Sequence, residues 1–235
     1  MGVSGWSMSK ANRVAVARGL PLILLSLPLL ALATAQEGDI LIMKGKKYSI
    51  QSEPLRAYIR ENPNKLPESE VVSTSNWRGY LATWEVKDEQ LFLVDVTILR
   101  PVKSQDGGFS TEPRSVMASL FPDQKEVPAV WFTGHVIAID GELVHYVHMG
   151  YASMYAKYII LRVEEGRVTR TWNANTAAFA IFRNSQFNAF KKTDEFRDGL
   201  ARCMKEGGRS EKECEESLRQ FSSEWYLSMI FDKPR

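Results

Sequence analysis

The sequence predicts a mainly β protein: an antiparallel meander closing into a barrel or sandwich, followed by a C-terminal α-hairpin stapled by a disulfide. Three observations carry that expectation. Between residues 39 and 182 apolar residues recur at every second position, in short runs separated by turn residues, as in half-buried antiparallel strands. Beyond Lys191 the apolar spacing changes to that of a helix with one buried face. Cys203 and Cys214 then fall beside the turn that joins two such helices.

Ahead of the β region stands an export leader. Lys10, Arg13 and Arg18 supply positive charge with no acid, which is the orientation signal of a secretory signal peptide. The apolar run over residues 20–33 is broken by Pro21 and Pro28 and falls short of the about 20 residues of a spanning helix. Ala33 and Ala35 place small residues where a signal peptidase reads, so the cut is expected before Gln36, with Met8 as an alternative start. The domain reading is therefore a signal peptide over residues 1–35, an antiparallel β domain over 36–185 and a helical hairpin appendage over 186–235. No cysteine adjoins the cut and no later segment is apolar over a spanning length, so no stable membrane anchor is expected after cleavage.

The chain has 30 basic residues against 28 acidic, and three of the basic ones leave with the leader. A nearly neutral mature protein offers no basic field for nucleic acid. Lys44, Lys46 and Lys47 read as a solvated hairpin tip. A mature chain of roughly 200 residues is long enough to bury one core without a metal.

Each strand has its own signal. Tyr80, Ala82, Trp84 and Val86 alternate with Leu81, Thr83 and Glu85, residues 87–90 turn the chain, and Phe92, Val94, Val96 and Ile98 form the core stripe expected of the next strand. Pro101 is expected to end it, residues 103–113 to form an exposed loop, and residues 114–121 a short helix with Val116, Met117 and Leu120 inward. Asp140-Gly141 suits a two-residue primed turn, which predicts a hairpin of residues 131–139 with 143–148. A strand over 155–163 turns at Glu165-Gly166 and returns through 168–172, and residues 177–182 add one more. The expected total is about seven or eight strands in sequential order.

In the helical region Thr193 is a cap, Gly207 a stop, and Ser210 with Glu213 a capping box. Phe196, Leu200, Cys203 and Met204 share one helical face, and Cys214, Leu218, Phe221 and Trp225 another. In an exported chain two thiols so placed are expected to oxidise into a staple. Their spacing is too wide for a redox-active pair.

No nucleophile elbow, phosphate loop, zinc helix or calcium loop occurs in the sequence. In the expected hairpin His135 faces Tyr146, and His148 lies on the same side, with the two imidazoles' Cβ atoms about 7 Å apart. His135, His148 and Tyr146 are the candidate catalytic residues of a hydrolase-like enzyme; the plainer reading is a polar sheet face. No third ligand accompanies them, so no metal is expected, and no cofactor. Tyr151 and Tyr155, in a Gly- and Ser-containing loop, together with Trp77 and Arg78 at a strand start, are the candidate ligand-binding residues. The leading functional expectation is a noncatalytic exported binding module for a protein, peptide or glycan. The hydrolase-like enzyme and a structural envelope component are the alternatives.

The runs WRGY at 77–80, TWEV at 83–86 and HYVHMGYASMY at 145–155 resemble a family of exported bacterial proteins of unknown function, over residues 39–168. Members carry Gly where this chain has Ala152 and an acid where it has Ala156, so a site built on those positions would be altered here. The cysteine-bearing hairpin is not part of the pattern. The resemblance implies a periplasmic or secreted setting and lends no activity.

Overall fold

Three two-residue turns with left-handed backbone at both positions set the hairpins of the structure, a computed structural model describing residues 36–231 apart from 72, 105, 106 and 149. Lys44-Gly45 joins β1 (Ile40–Met43) to β2 (Lys46–Ser49), and Asp88-Glu89 joins β3 (Leu81–Lys87) to β4 (Gln90–Lys103). Glu165-Gly166 joins β10 (Lys157–Glu164) to β11 (Arg167–Asn175). All three match the turns read from the sequence. Such primed turns fit the twist of the paired strands. Gly166 is required twice over: φ is 81°, and a Cβ would lie 2.5 Å from Gln90 Nε2. The leader expected over residues 1–35 lies outside the described residues.

The remaining strands are β5 (Phe109–Ser115), β6 (Val127–Pro128), β7 (Gly134–Ile139), β8 (Leu143–His145) and β9 (Met154–Tyr155). Nine of the strands form one sheet whose main path is β2-β1-β3-β4-β11-β10-β7, with β5 and β6 both on β4. The sheet is mixed, because β1 runs parallel to β3, and its order departs from the expected sequential meander. Short helices α1 (Arg56–Glu61) and α2 (Met117–Leu120) lie in the connections. The two ends of the path meet where Ile50 bridges Ala138 and Gln51 N donates to Ile137 O at 2.8 Å.

Several local expectations are corrected. Pro101 does not end β4, which continues to Lys103 with Pro101 opposite Thr111. Beyond Thr97 no strand among the described residues pairs with β4 on its β3 side, and a strand edge open there tolerates a residue without an N–H. Residues 109–113 of the expected loop begin β5, and the helix over 114–121 shrinks to α2. Val94 is not core. The register between β3 and β4 slips so that Thr83 faces Asp95 while Trp84 faces Leu93. This bulge transfers burial from Val96 and Ile98 to Leu91 and Leu93 instead of Phe92 and Val94.

Residues 177–182 belong to a helix, α3 (Thr176–Phe190), not to a strand. The Asn175 side chain caps it by accepting from Ala178 N at 2.9 Å. Phe179, Phe187 and Phe190 then lie on its buried side. Helices α4 (Asp194–Gly207), α5 (Glu211–Phe221) and α6 (Ser223–Tyr226) follow. Thr193 caps α4, Gly208 closes it in the left-handed region, and Ser210 with Glu213 forms the reciprocal capping box of α5.

The helices share a core with the sheet. Ile137, Tyr158, Ile160 and Ala174 pack with Phe179, Phe187, Phe190, Phe196 and Tyr226. The opposite side of β7 and β10, with Val136, Ala138, Ile159, Leu161 and Val163, joins the core around Trp84, Leu41 and Leu93. Both strands are thus buried on both faces, which explains their near-continuous apolar runs.

Cys203 and Cys214 form a disulfide between α4 and α5 across a sequence separation of 11. Replacing both by alanine is expected to destabilise the fold by about 2–3 kcal/mol, because the open chain regains loop entropy when unfolded. The midpoint of a urea titration against the oxidised wild type measures this, and an unchanged midpoint would refute it.

Candidate functional site

Asp39 begins the construction of the site. It precedes β1, is fully buried, and no buried carboxylate is tolerable without donors. Ala82 N and Arg78 Nη1 donate to its Oδ1 at 3.1 and 3.0 Å, and Trp84 Nε1 donates to Oδ2 at 3.1 Å. Arg78 is held in turn: Nη2 donates to Glu37 O at 2.9 Å, Nε lies 3.5 Å from Glu53 Oε1, and the guanidinium stacks over Tyr80 at 5.0 Å. Burial alone would lower the Arg78 pKa, but Asp39, with Tyr151 and Glu53, holds it raised. Burial raises the Tyr80 and Tyr151 phenols, so both remain neutral.

This network underlies a cleft of about 340 Å³. Helix α1 contributes Arg56 and Arg60, the segment before β7 contributes Trp131, and α6 contributes Glu224 and Trp225, with Glu53 joining the cleft to the network. Arg56 Nη1 lies 3.4 Å from Glu53 Oε2 and 4.0 Å from Glu224 Oε1, so one guanidinium serves both carboxyls. Arg56 and Arg60 stand over the Trp225 ring at 5.3 and 5.9 Å. Trp131 is fixed by Nε1 donating to Pro54 O at 3.1 Å and by stacking on Phe121.

The two carboxyls are strained electrostatically. Burial raises the Glu53 pKa more than the neighbouring Arg78 and Arg56 lower it. Burial pushes Glu224 up to about 7, with Glu53 adding to the rise and Arg56 and Arg78 opposing it. Glu224 Oε2 is buried without a hydrogen-bond partner. The cleft therefore contains a carboxyl close to half-ionised at neutral pH, beside guanidinium and indole groups, an arrangement that suits a charged ligand.

The expected histidine site is not assembled. Strand β7 pairs with β10, not with β8, and Ile139 faces Tyr158. Strand β8 pairs with β9 in a separate two-stranded sheet, so Asp140-Gly141 does not close a hairpin and His135 does not face Tyr146. Strand β10 outcompetes β8 because it offers β7 six paired residues and burial on both faces. His135 is buried, its Nδ1 donating to Met229 O at 2.9 Å and its ring edge-on to Trp172 and Phe182. His148 is exposed and stacks edge-on with Tyr146 at 4.8 Å.

The four candidate ligand-binding residues separate into two groups. Arg78 and Tyr151 are buried in the network under the cleft, and Gln51 Nε2 holds the loop by donating to Tyr151 O and Ser153 O. Trp77 is 54% exposed and Tyr155 packs on Tyr158, neither lining the cleft. Asp39, Glu53 and Glu224 carry no motif that marks them; the only signal is acid beside apolar sequence, as in Glu224-Trp225-Tyr226-Leu227. Among the described residues no group of three His, Cys, Asp or Glu is placed to hold a metal, and no helix is long and apolar enough to cross a membrane. Compared with known proteins, the chain matches no family model, no curated protein and no solved structure.

Proposed function

We propose that the protein is a noncatalytic binding module of the bacterial envelope, exported, cut before Gln36, and holding its ligand in the cleft between α1, Trp131 and α6. The observation that carries this is the Glu224 carboxyl, desolvated and incompletely hydrogen-bonded at the wall of a cavity of about 340 Å³. Folding alone gains nothing from such a group, whereas a ligand that supplies a donor does. The cleft hydroxyl of Ser228 donates to the Glu224 carbonyl at 2.7 Å and has no histidine base in the cleft, which favours binding over nucleophilic chemistry.

The disulfide supports a periplasmic or secreted setting. The same reading takes the nine-stranded sheet as a barrel scaffold whose path ends meet at the Ile50–Ala138 bridge. The test is recovery of ligand from an envelope extract on the immobilised mature chain. Ala57→Phe, which fills the cleft, and Arg60→Glu, which reverses an exposed charge, are expected to abolish recovery; equal recovery by all three proteins would refute the cleft as the site.

A further inference from the structure

We propose that the cleft takes a short peptide by its free amino terminus, the ammonium entering beside Glu224 and a peptide carboxylate meeting Arg60. This inference rests on the cleft being the ligand site. Burial sorts the charges by depth. The Glu53 and Glu224 side chains are 4% and 13% exposed, whereas that of Arg56 is 40% exposed and Arg60 is an exposed residue. Three carboxyls, those of Asp39, Glu53 and Glu224, lie deep, against the single deep guanidinium of Arg78. Even with the partly exposed Arg56 shared between Glu53 and Glu224, the three carboxyls meet two guanidiniums at this end. An ammonium beside Glu224 brings a further cation, with three N–H bonds to give.

The shallow end carries the guanidiniums of Arg56 and Arg60, with the exposed carboxylate of Glu195 also lining the cleft. Arg56 and Arg60 are one helical turn apart on α1 and both lie over Trp225. Like charges at that spacing repel, and a carboxylate between them relieves the repulsion with paired hydrogen bonds. Between the two ends Trp131, Phe132 and Met229 supply apolar wall for a side chain. A volume of about 340 Å³ admits only a short peptide. A neutral glycan fits less well, because the guanidinium groups already cover the indole that a sugar ring would stack on, and hydroxyls leave the deep charge unbalanced.

The test uses the full mature chain and four probes: leucyl-leucine, N-acetyl-leucyl-leucine, leucyl-leucine amide and chitobiose. Binding is followed by NMR through the indole N–H signals of Trp131 and Trp225. Leucyl-leucine is expected to bind, acetylation to weaken it by about tenfold or more, and amidation by several-fold, as for loss of a charge-assisted hydrogen bond. Glu224→Gln should shrink the difference between free and acetylated peptide to less than about threefold, with an unchanged circular dichroism spectrum. Acetylated peptide binding as tightly as free peptide, or chitobiose binding where the dipeptide does not, overturns the peptide inference and leaves the cleft as a ligand site. Indole signals unmoved by every probe also overturn it, and recovery from envelope extract by the Ala57→Phe protein then decides the cleft separately.

Discussion

Replacing Arg78 by methionine is expected to destabilise the protein by about 3–5 kcal/mol, the cost of leaving buried charge without its partner. The Arg78 side chain is 4% exposed, as is that of Glu53, and Asp39 is fully buried, so solvent cannot take over the lost interactions. Arg78→Lys should fall between wild type and methionine. An ammonium cannot reach Asp39, Glu53 and the Glu37 carbonyl in the fork geometry that a guanidinium provides. Adding Glu53→Gln to Arg78→Met should recover part of the loss, because it removes one uncompensated charge. Urea denaturation with an unchanged slope measures all three proteins. A loss below about 1 kcal/mol for Arg78→Met would place the network in the class of solvated surface pairs and refute its buried character.

Raising the pH from 4.5 to 7.5 is expected to weaken the fold through Glu224. An ordinary glutamate titrates near 4.5, whereas burial raises Glu224 in the folded state to about 7. Between those values the native protein binds a proton that the unfolded chain has released, so stability falls as pH rises. The contribution is fully present below the unfolded value and is lost as pH passes through the folded one. The span corresponds to about 3 kcal/mol, and Glu53, also raised, acts in the same direction. Glu224→Gln should flatten the profile and make the variant more stable than wild type at pH 8. Identical profiles for the two proteins would show that Glu224 ionises freely and would remove the basis of the ligand argument.

Much of the local structure was legible because its causes are local. The Lys44-Gly45, Lys87–Gln90 and Glu165-Gly166 turns need only two or three neighbouring residues, and the Ser210–Glu213 box only four. The burial of Tyr80, Ala82 and Trp84 followed from alternation along one strand. The candidate site was legible in part: Arg78 and Tyr151 stood out, and both belong to the network beneath the cleft. Glu53 and Glu224 did not, because nothing within a few residues of either marks it as buried. Their raised pKa values come from burial where segments more than 150 positions apart in the chain pack together, with Arg56 between them opposing the rise.

By itself the sequence determined a mainly β chain with helices at its C-terminal end, the cysteine staple, the Thr193 and Ser210 caps and three of the hairpin turns, since each depends on periodicity or on contacts within about one turn. Only the tertiary structure decided that β7 joins β10 rather than β8, that a bulge moves the core face within β4, and that residues 176–190 form a helix over the sheet. Strand partners compete for the same backbone groups, and the winner is set by burial summed over the whole sheet, which no local window of sequence contains.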